Sequence, residues 1–154
     1  MNHVRAVTAV LRRVFAGTLS WHDCRLLFCV SAAEPIALAA LDCGSIRGAR
    51  RALARLRPLA LAFSGRPSEK SVIWALDARG RWLGGGSTCL GRALVAELLL
   101  ETIERPLTVV IGVAAGAGGM RSHAWIERNG HVLVGGDYAR RQYVPLVAWR
   151  SATP

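Results

Sequence analysis

Apolar positions in the first half of the chain recur at helical spacing. Val4, Val7, Val10, Leu11 and Val14 form one such set, ending at Gly17. Ser20 is placed to cap a second helix through Arg25, Leu26 and Leu27, and residues 32–41 continue rich in Ala and Leu. Residues 46–56 set Ala52, Leu53 and Leu56 among Arg47, Arg50, Arg51, Arg55 and Arg57. Residues 63–68 (FSGRPS) predict a connector, because Gly65 and Pro67 interrupt regular structure. Ser68 or Ser71 then opens a helix carrying Val72, Ile73, Ala75 and Leu76. After the Gly84-Gly85-Gly86 turn, Ser87 or Thr88 caps a helix from Cys89 to about Ile103. Its buried stripe is Leu90, Ala93, Leu94, Leu98 and Leu99.

From Pro106 the pattern changes. Residues 107–113 (LTVVIGV) are apolar and β-branched and predict a strand. Residues 114–119 read as a small-residue loop. Residues 122–127 and 131–134 flank Arg128-Asn129-Gly130, a hairpin signal, and residues 143–149 form a last strand. The expected class is α+β: a helical N-terminal region over 1–68, then a core over 69–154 with an antiparallel sheet. No internal repeat, P-loop or strand-linked GxGxxG is visible, so no cofactor is expected.

Composition narrows this picture. At 154 residues and 16.5 kDa the chain suits one compact domain with room for a small appendage, and excludes a large multidomain enzyme. With 52% hydrophobic and 19% charged residues it is too apolar for disorder. The net charge is +10, and every basic residue except Lys70 is Arg. Such a chain suits an acidic partner, whether nucleic acid, membrane surface or peptide, although the codon usage of a GC-rich genome also favours Arg. For the Arg cluster over 46–56 a solvated helix face is the expectation, and an acidic-peptide or phosphate contact the sharper alternative. A mean hydropathy of +0.29 points to some apolar surface that meets a partner or a membrane. Arg5, Arg12 and Arg13 interrupt the first apolar stretch, which does not fit a signal peptide. Glu34 and Pro35 make 26–41 a poor membrane span. The expected location is cytoplasmic, with Cys24, Cys29, Cys43 and Cys89 reduced. No CxxC pair supports zinc, and no metal is expected.

Cys89 is the residue with chemical context. It follows three glycines and opens a helix, whose free N–H groups and dipole stabilise nearby negative charge and favour the reactive thiolate form. Cys24, Cys29 and Cys43 lie in apolar helical text and read as buried spectators. His123 opens the strand His-Ala-Trp-Ile-Glu, where His123, Trp125 and Glu127 share one face. Beside a thiol it would act as base and then as acid; His131 and His22 are weaker candidates. Asp137 is the natural third member, and hairpin register bears on it. A two-residue Asn129-Gly130 turn sets His123 opposite Gly136, with Asp137 on the other face. A three-residue loop sets His123 opposite Gly135, with Asp137 diagonal to it on the same face. A bulge at Gly135-Gly136 would also re-aim Asp137. Glu127 is a weaker orienter. Trp82 or Trp125 would shape a peptide groove, or simply pack in the core.

These residues resemble a known family. Cys89-Leu90-Gly91-Arg92-Ala93-Leu94 is similar to the Cys-Leu-x-Arg-Ala-Leu helix start of lasso-peptide leader peptidases, the transglutaminase-like B-type maturation proteins. Ile111-Gly112-Val113, His123-Ala124-Trp125-Ile126-Glu127, Gly130, Val132-Leu133, Gly135-Gly136-Asp137 and Tyr143-Val144-Pro145-Leu146 follow that family's order. The resemblance covers about residues 69–149. It implies a papain/transglutaminase-like α+β core with a Cys89-His123-Asp137 triad. The implied reaction is hydrolysis of the leader peptide from a ribosomally made lasso precursor. The implied partners are that precursor leader, a separate leader-recognition protein and the lasso cyclase that acts afterwards. Residues 1–68 show no alternating strands of a recognition domain, so the chain resembles the split peptidase. Two alternatives stay open: a transglutaminase-like acyl transferase, and a non-enzymatic basic adaptor binding nucleic acid or an acidic peptide. No recognised nucleic-acid motif is present, so nucleic acid is not the expected partner.

Overall fold

The computed structural model describes residues 19–83, 87–102, 105–116 and 118–151. The helix expected around Val7 and the Gly84-Gly85-Gly86 turn lie outside the described residues. Helix α1 (Trp21–Asp42) starts at Ser20, whose hydroxyl accepts the Asp23 amide at 3.1 Å while the Asp23 carboxylate accepts the Ser20 amide at 3.0 Å. This reciprocal box satisfies two amides that the first turn leaves open. The Ala/Leu-rich stretch belongs to the same helix, which runs on through Pro35. Helix α2 (Ile46–Ser64) is capped by Ser45 and continues past residue 56. Helix α3 (Glu69–Leu83) is opened by Ser68, which accepts the Ser71 amide at 3.2 Å.

Helix α4 (Cys89–Leu100) is capped by Thr88, which accepts the Gly91 amide at 3.0 Å. Ser87 is turned to α1 instead. α4 ends earlier than expected, because Glu101 leaves it with extended backbone. Nine of its twelve residues are buried, so it is the central helix, enclosed on nearly every side, and its apolar text reaches round most of its circumference.

The sheet comprises β1 (Thr108–Gly116), β2 (Gly119–Arg128), β3 (His131–Val134) and β4 (Val144–Arg150), antiparallel in the order β3-β2-β1-β4. A short helix α5 (Ala139–Gln142) precedes β4. The chain is therefore α+β, with helices followed by an antiparallel sheet. The loop expected over 114–119 is mostly strand, since β1 and β2 stay paired as far as Gly116 opposite Gly119. Ala and Gly carry little strand signal, and ladder pairing overrides it. Asn129 and Gly130 both have positive φ (51° and 79°), the backbone of a tight hairpin turn. Pro145, which has no N–H, sits on edge strand β4 beside a bulge.

The sheet has two different faces. Val109, Ala124 and Ile126 join Leu26, Leu53, Leu76 and Leu94 in one core, which draws on α1 to α4 as well as the sheet. Val110 and Trp125 face the other way and pack with Ala139 of α5. By length and composition α1 could cross a membrane; in this fold it packs on α2, α3 and α4 and holds a buried carboxylate.

Candidate active site

Cys89 is the first residue of α4, half-buried against the margin of the main core. The segment entering it is held from α1. Glu34 is fully buried; its Oε1 accepts the Ser87 hydroxyl at 2.7 Å, and its Oε2 lies 2.9 Å from Arg79 Nε of α3. That second contact is off the line of a hydrogen bond, so the pair is a charge contact. A Cβ at Gly91 would come within 3.1 Å of Thr88 Oγ1 and 3.3 Å of Glu34 Cγ, so the glycine makes room for this network. Arg92 pairs with Asp77 and ties α4 to α3.

His123 is half-buried at the middle of β2, opposite Gly112 of β1. Its ring stands among Trp125, Tyr138 and Tyr143, at centroid distances of 6.3, 5.8 and 5.0 Å. Its Nε2 is 2.7 Å from the Gly135 carbonyl oxygen. A carbonyl only accepts, so Nε2 carries the proton and a neutral ring presents Nδ1 as the base.

Register explains why Gly135 takes this place. Next to the turn Arg128 pairs with His131 and Glu127 with Val132, as a two-residue turn requires; then Ile126 pairs with Val134, leaving Leu133 as the extra residue. This bulge advances the chain, so neither regular register reaches His123. Gly135 arrives against Trp125 with φ +111°, and a Cβ there would sit 2.4 Å from Trp125 Cβ and 2.9 Å from its Cα. Gly135→Ala is accordingly expected to cost at least about 2 kcal/mol in urea unfolding. Gly118→Ala, with nothing within 4 Å of the added carbon, should stay within about 0.5 kcal/mol.

The structure does not join the three triad candidates. Among the described residues Cys89 Sγ makes no hydrogen bond, and neither does Asp137 with His123. Asp137 lies exposed in the turn before α5. His123 shares the sheet face of Trp125, whereas α4 covers the face of Ala124 and Ile126. Trp125 is fully buried, closes over Gly112, and donates its Nε1–H to Glu127 at 2.7 Å, so core packing describes it and it meets no groove. Trp82 is half-buried in α3, edge-on to Trp74 at 6.0 Å. His22 and His131 are both exposed, and among the described residues neither hydrogen-bonds a thiol.

All four cysteines are free. Cys43 is exposed rather than buried, because it caps the C-terminus of α1. Cys24 and Cys29 are half-buried. Burial pushes the Cys29 thiol above its ordinary value, and its S–H faces the Ala60 carbonyl at 3.7 Å. Among the described residues no group of three or more His, Cys, Asp or Glu is placed to hold a metal.

A family model of the transglutaminase-like superfamily matches residues 30–148, about three-quarters of the chain. The chain belongs to the transglutaminase-like superfamily. The match starts inside α1 and ends inside β4, so Glu34, the Thr88 cap, Cys89, His123 and Asp137 all fall within the superfamily region. No curated protein and no solved structure matches the chain.

Membership in this superfamily places the helix-start cysteine and the strand histidine in one domain. Sequence reasoning missed the Gly135 carbonyl, the tyrosines around His123 and the role of Glu34. Gly135-Gly136 was a visible signal, as a pair able to host a bulge. The bulge fell at Leu133 instead, because Gly135 is needed where a side chain would strike Trp125.

Proposed function

We propose that this chain is a cysteine peptidase that removes the leader from a ribosomally made lasso-peptide precursor. The observation that carries the reading is Cys89 as first residue of a Thr88-capped helix in a transglutaminase-like domain. The Cys-Leu-Gly-Arg-Ala-Leu run from Cys89 to Leu94 supports the narrower assignment.

In this reading the Cys89 sulfur attacks the scissile carbonyl and a C–S bond forms. The oxyanion is met by the Cys89 backbone N–H at the open end of α4. His123 takes the thiol proton and returns it to the departing amine as the C–N bond breaks. Water then hydrolyses the thioester, giving the leader carboxylate and the free thiol. Asp137 is the proposed orienter of the ring. In this reading the free Nδ1 of His123 has to come within hydrogen-bond reach of the Cys89 sulfur. No cofactor enters these steps. The proposed setting is the cytoplasm, with a leader-recognition protein delivering the precursor and the lasso cyclase acting on the exposed core peptide.

The test mixes precursor, recognition protein and this chain, and follows the products by mass. A leader ending in a free carboxylate is expected. A leader carrying an added amine would mean acyl transfer, and an unchanged precursor would remove the peptidase reading. Asp137→Asn in the same assay should slow release if that carboxylate orients the ring.

One observation favours a second reading. Among the described residues thiol and imidazole share no hydrogen bond and exposed Arg side chains on α2 lack carboxylate partners, as a binding adaptor built on this fold would show. An adaptor would leave the precursor intact yet bind a partner.

A further inference from the structure

An open cleft of about 1270 Å³ lies between α2, the start of α3 and the C-terminal half of α4. Cys89 is not part of its lining, which on α4 runs from Leu94 to Leu100. Its volume exceeds the roughly 300–1,000 Å³ of ordinary small-molecule sites, so it suits an extended ligand.

Charge in the cleft is unbalanced. Among the described residues its three carboxylates are already taken: Glu97 by Arg50 at 2.6 Å, Glu101 by Arg57 at 2.9 Å, and Glu69 by Arg128. Arg47, Arg51, Arg66, Lys70 and Arg105 also line it, are exposed, and pair with no carboxylate among the described residues. Arg47 and Arg51 are four apart on α2 and so point the same way. The expectation of a merely solvated face for this cluster is thus too simple: Arg50 and Arg57 dock α2 on α4, and their neighbours are left facing open space. Beneath the charges the described lining is aliphatic: Ala54 and Leu61 keep accessible surface, and Leu53, Leu94 and Leu98 are buried behind them. No Phe, Tyr or Trp is among the described residues that line the cleft.

We propose that this cleft docks an extended peptide segment of a partner chain in which acidic residues alternate with aliphatic ones. Carboxylates would meet the unpaired cations and set the register, while aliphatic side chains would lie on Ala54 and Leu61. Exposed ion pairs are individually weak, so the apolar contacts must carry a share of the affinity. A single-stranded nucleic acid would satisfy the cations, but its bases would find no aromatic platform to stack on. The docking does not depend on cleavage at Cys89.

The test uses the full chain and a labelled peptide with Glu alternating with Leu, read by fluorescence anisotropy. Binding is expected, with about tenfold weaker binding for a Glu/Ser peptide of equal charge and none for a Lys/Leu peptide. The triple variant Arg47→Glu, Arg51→Glu, Lys70→Glu should lower affinity at least about tenfold. A control with the same charge change outside the cleft, Arg55→Glu, Arg141→Glu, Arg150→Glu, should stay within about threefold. Equal losses in the two triple variants would reduce the effect to overall charge and overturn the proposal. So would tighter binding of a single-stranded RNA than of the Glu/Leu peptide, or no peptide binding at low salt. All three outcomes are independent of the precursor-cleavage assay.

Discussion

Cys89→Ala is expected to abolish leader release, lowering the rate by roughly 10⁴-fold or more while the chain stays folded. A nucleophile divides amide hydrolysis into two easier steps, and methyl in place of sulfur leaves no atom to form the thioester. The fold should tolerate the change: Cys89 is half-buried, its thiol makes no hydrogen bond among the described residues, and Ala suits a helix start. The unfolding midpoint should move by no more than about 1 kcal/mol. No other cysteine is placed to take over. Cys43 caps the carbonyl end of α1, and Cys29 has its thiol pushed up by burial. Cys43→Ala and Cys24→Ala should therefore cleave normally in the same mass assay. Wild-type cleavage by Cys89→Ala would end the nucleophile assignment; absence of cleavage by every form, with peptide binding retained, would favour the adaptor.

Glu34→Ala is expected to produce the largest loss of stability, about 3–5 kcal/mol, or roughly 6–20 °C in the thermal midpoint. The carboxylate is fully buried, and Arg79, itself only 11% exposed, has no other acid beside it among the described residues. Removing one partner of a buried pair strands the other charge, and here it also frees the Ser87 hydroxyl. The double variant Glu34→Ala, Arg79→Met should recover part of the loss, because no uncompensated charge remains. Urea unfolding of the three forms measures this, and an additive double variant would show that the two groups do not act as a pair. Because Ser87 precedes the Thr88 cap, Glu34→Ala should also loosen the start of α4 and slow any chemistry at Cys89.

Much of the fold was legible because its signals are local. Ser20, Ser45, Ser68 and Thr88 each cap a helix through a hydroxyl within hydrogen-bond reach, a feature carried by three or four adjacent residues. Asn129-Gly130 specifies its turn by tolerating positive φ. Other features were not legible for an equally physical reason. The Gly135-Gly136 pair marks a bulge nearby, but its place at Leu133 follows from Gly135 packing on Trp125. Glu34 read as an interruption of an apolar stretch, since its partners Arg79 and Ser87 are distant in sequence and meet it only through helix packing. Likewise the Arg cluster on α2 divides into docked and unpaired members only once α4 presents Glu97 and Glu101.

By itself the sequence determined the α+β order of elements, the helix starts, the hairpin turn and the placement of Cys89 at a capped helix tip, because each depends on backbone preferences of neighbouring residues. Only the tertiary structure decided which face of the sheet His123 occupies, which atom holds its ring, what neutralises Glu34 and which arginines stay unpaired. Those outcomes depend on groups far apart in the chain that packing alone brings within a few ångströms of one another.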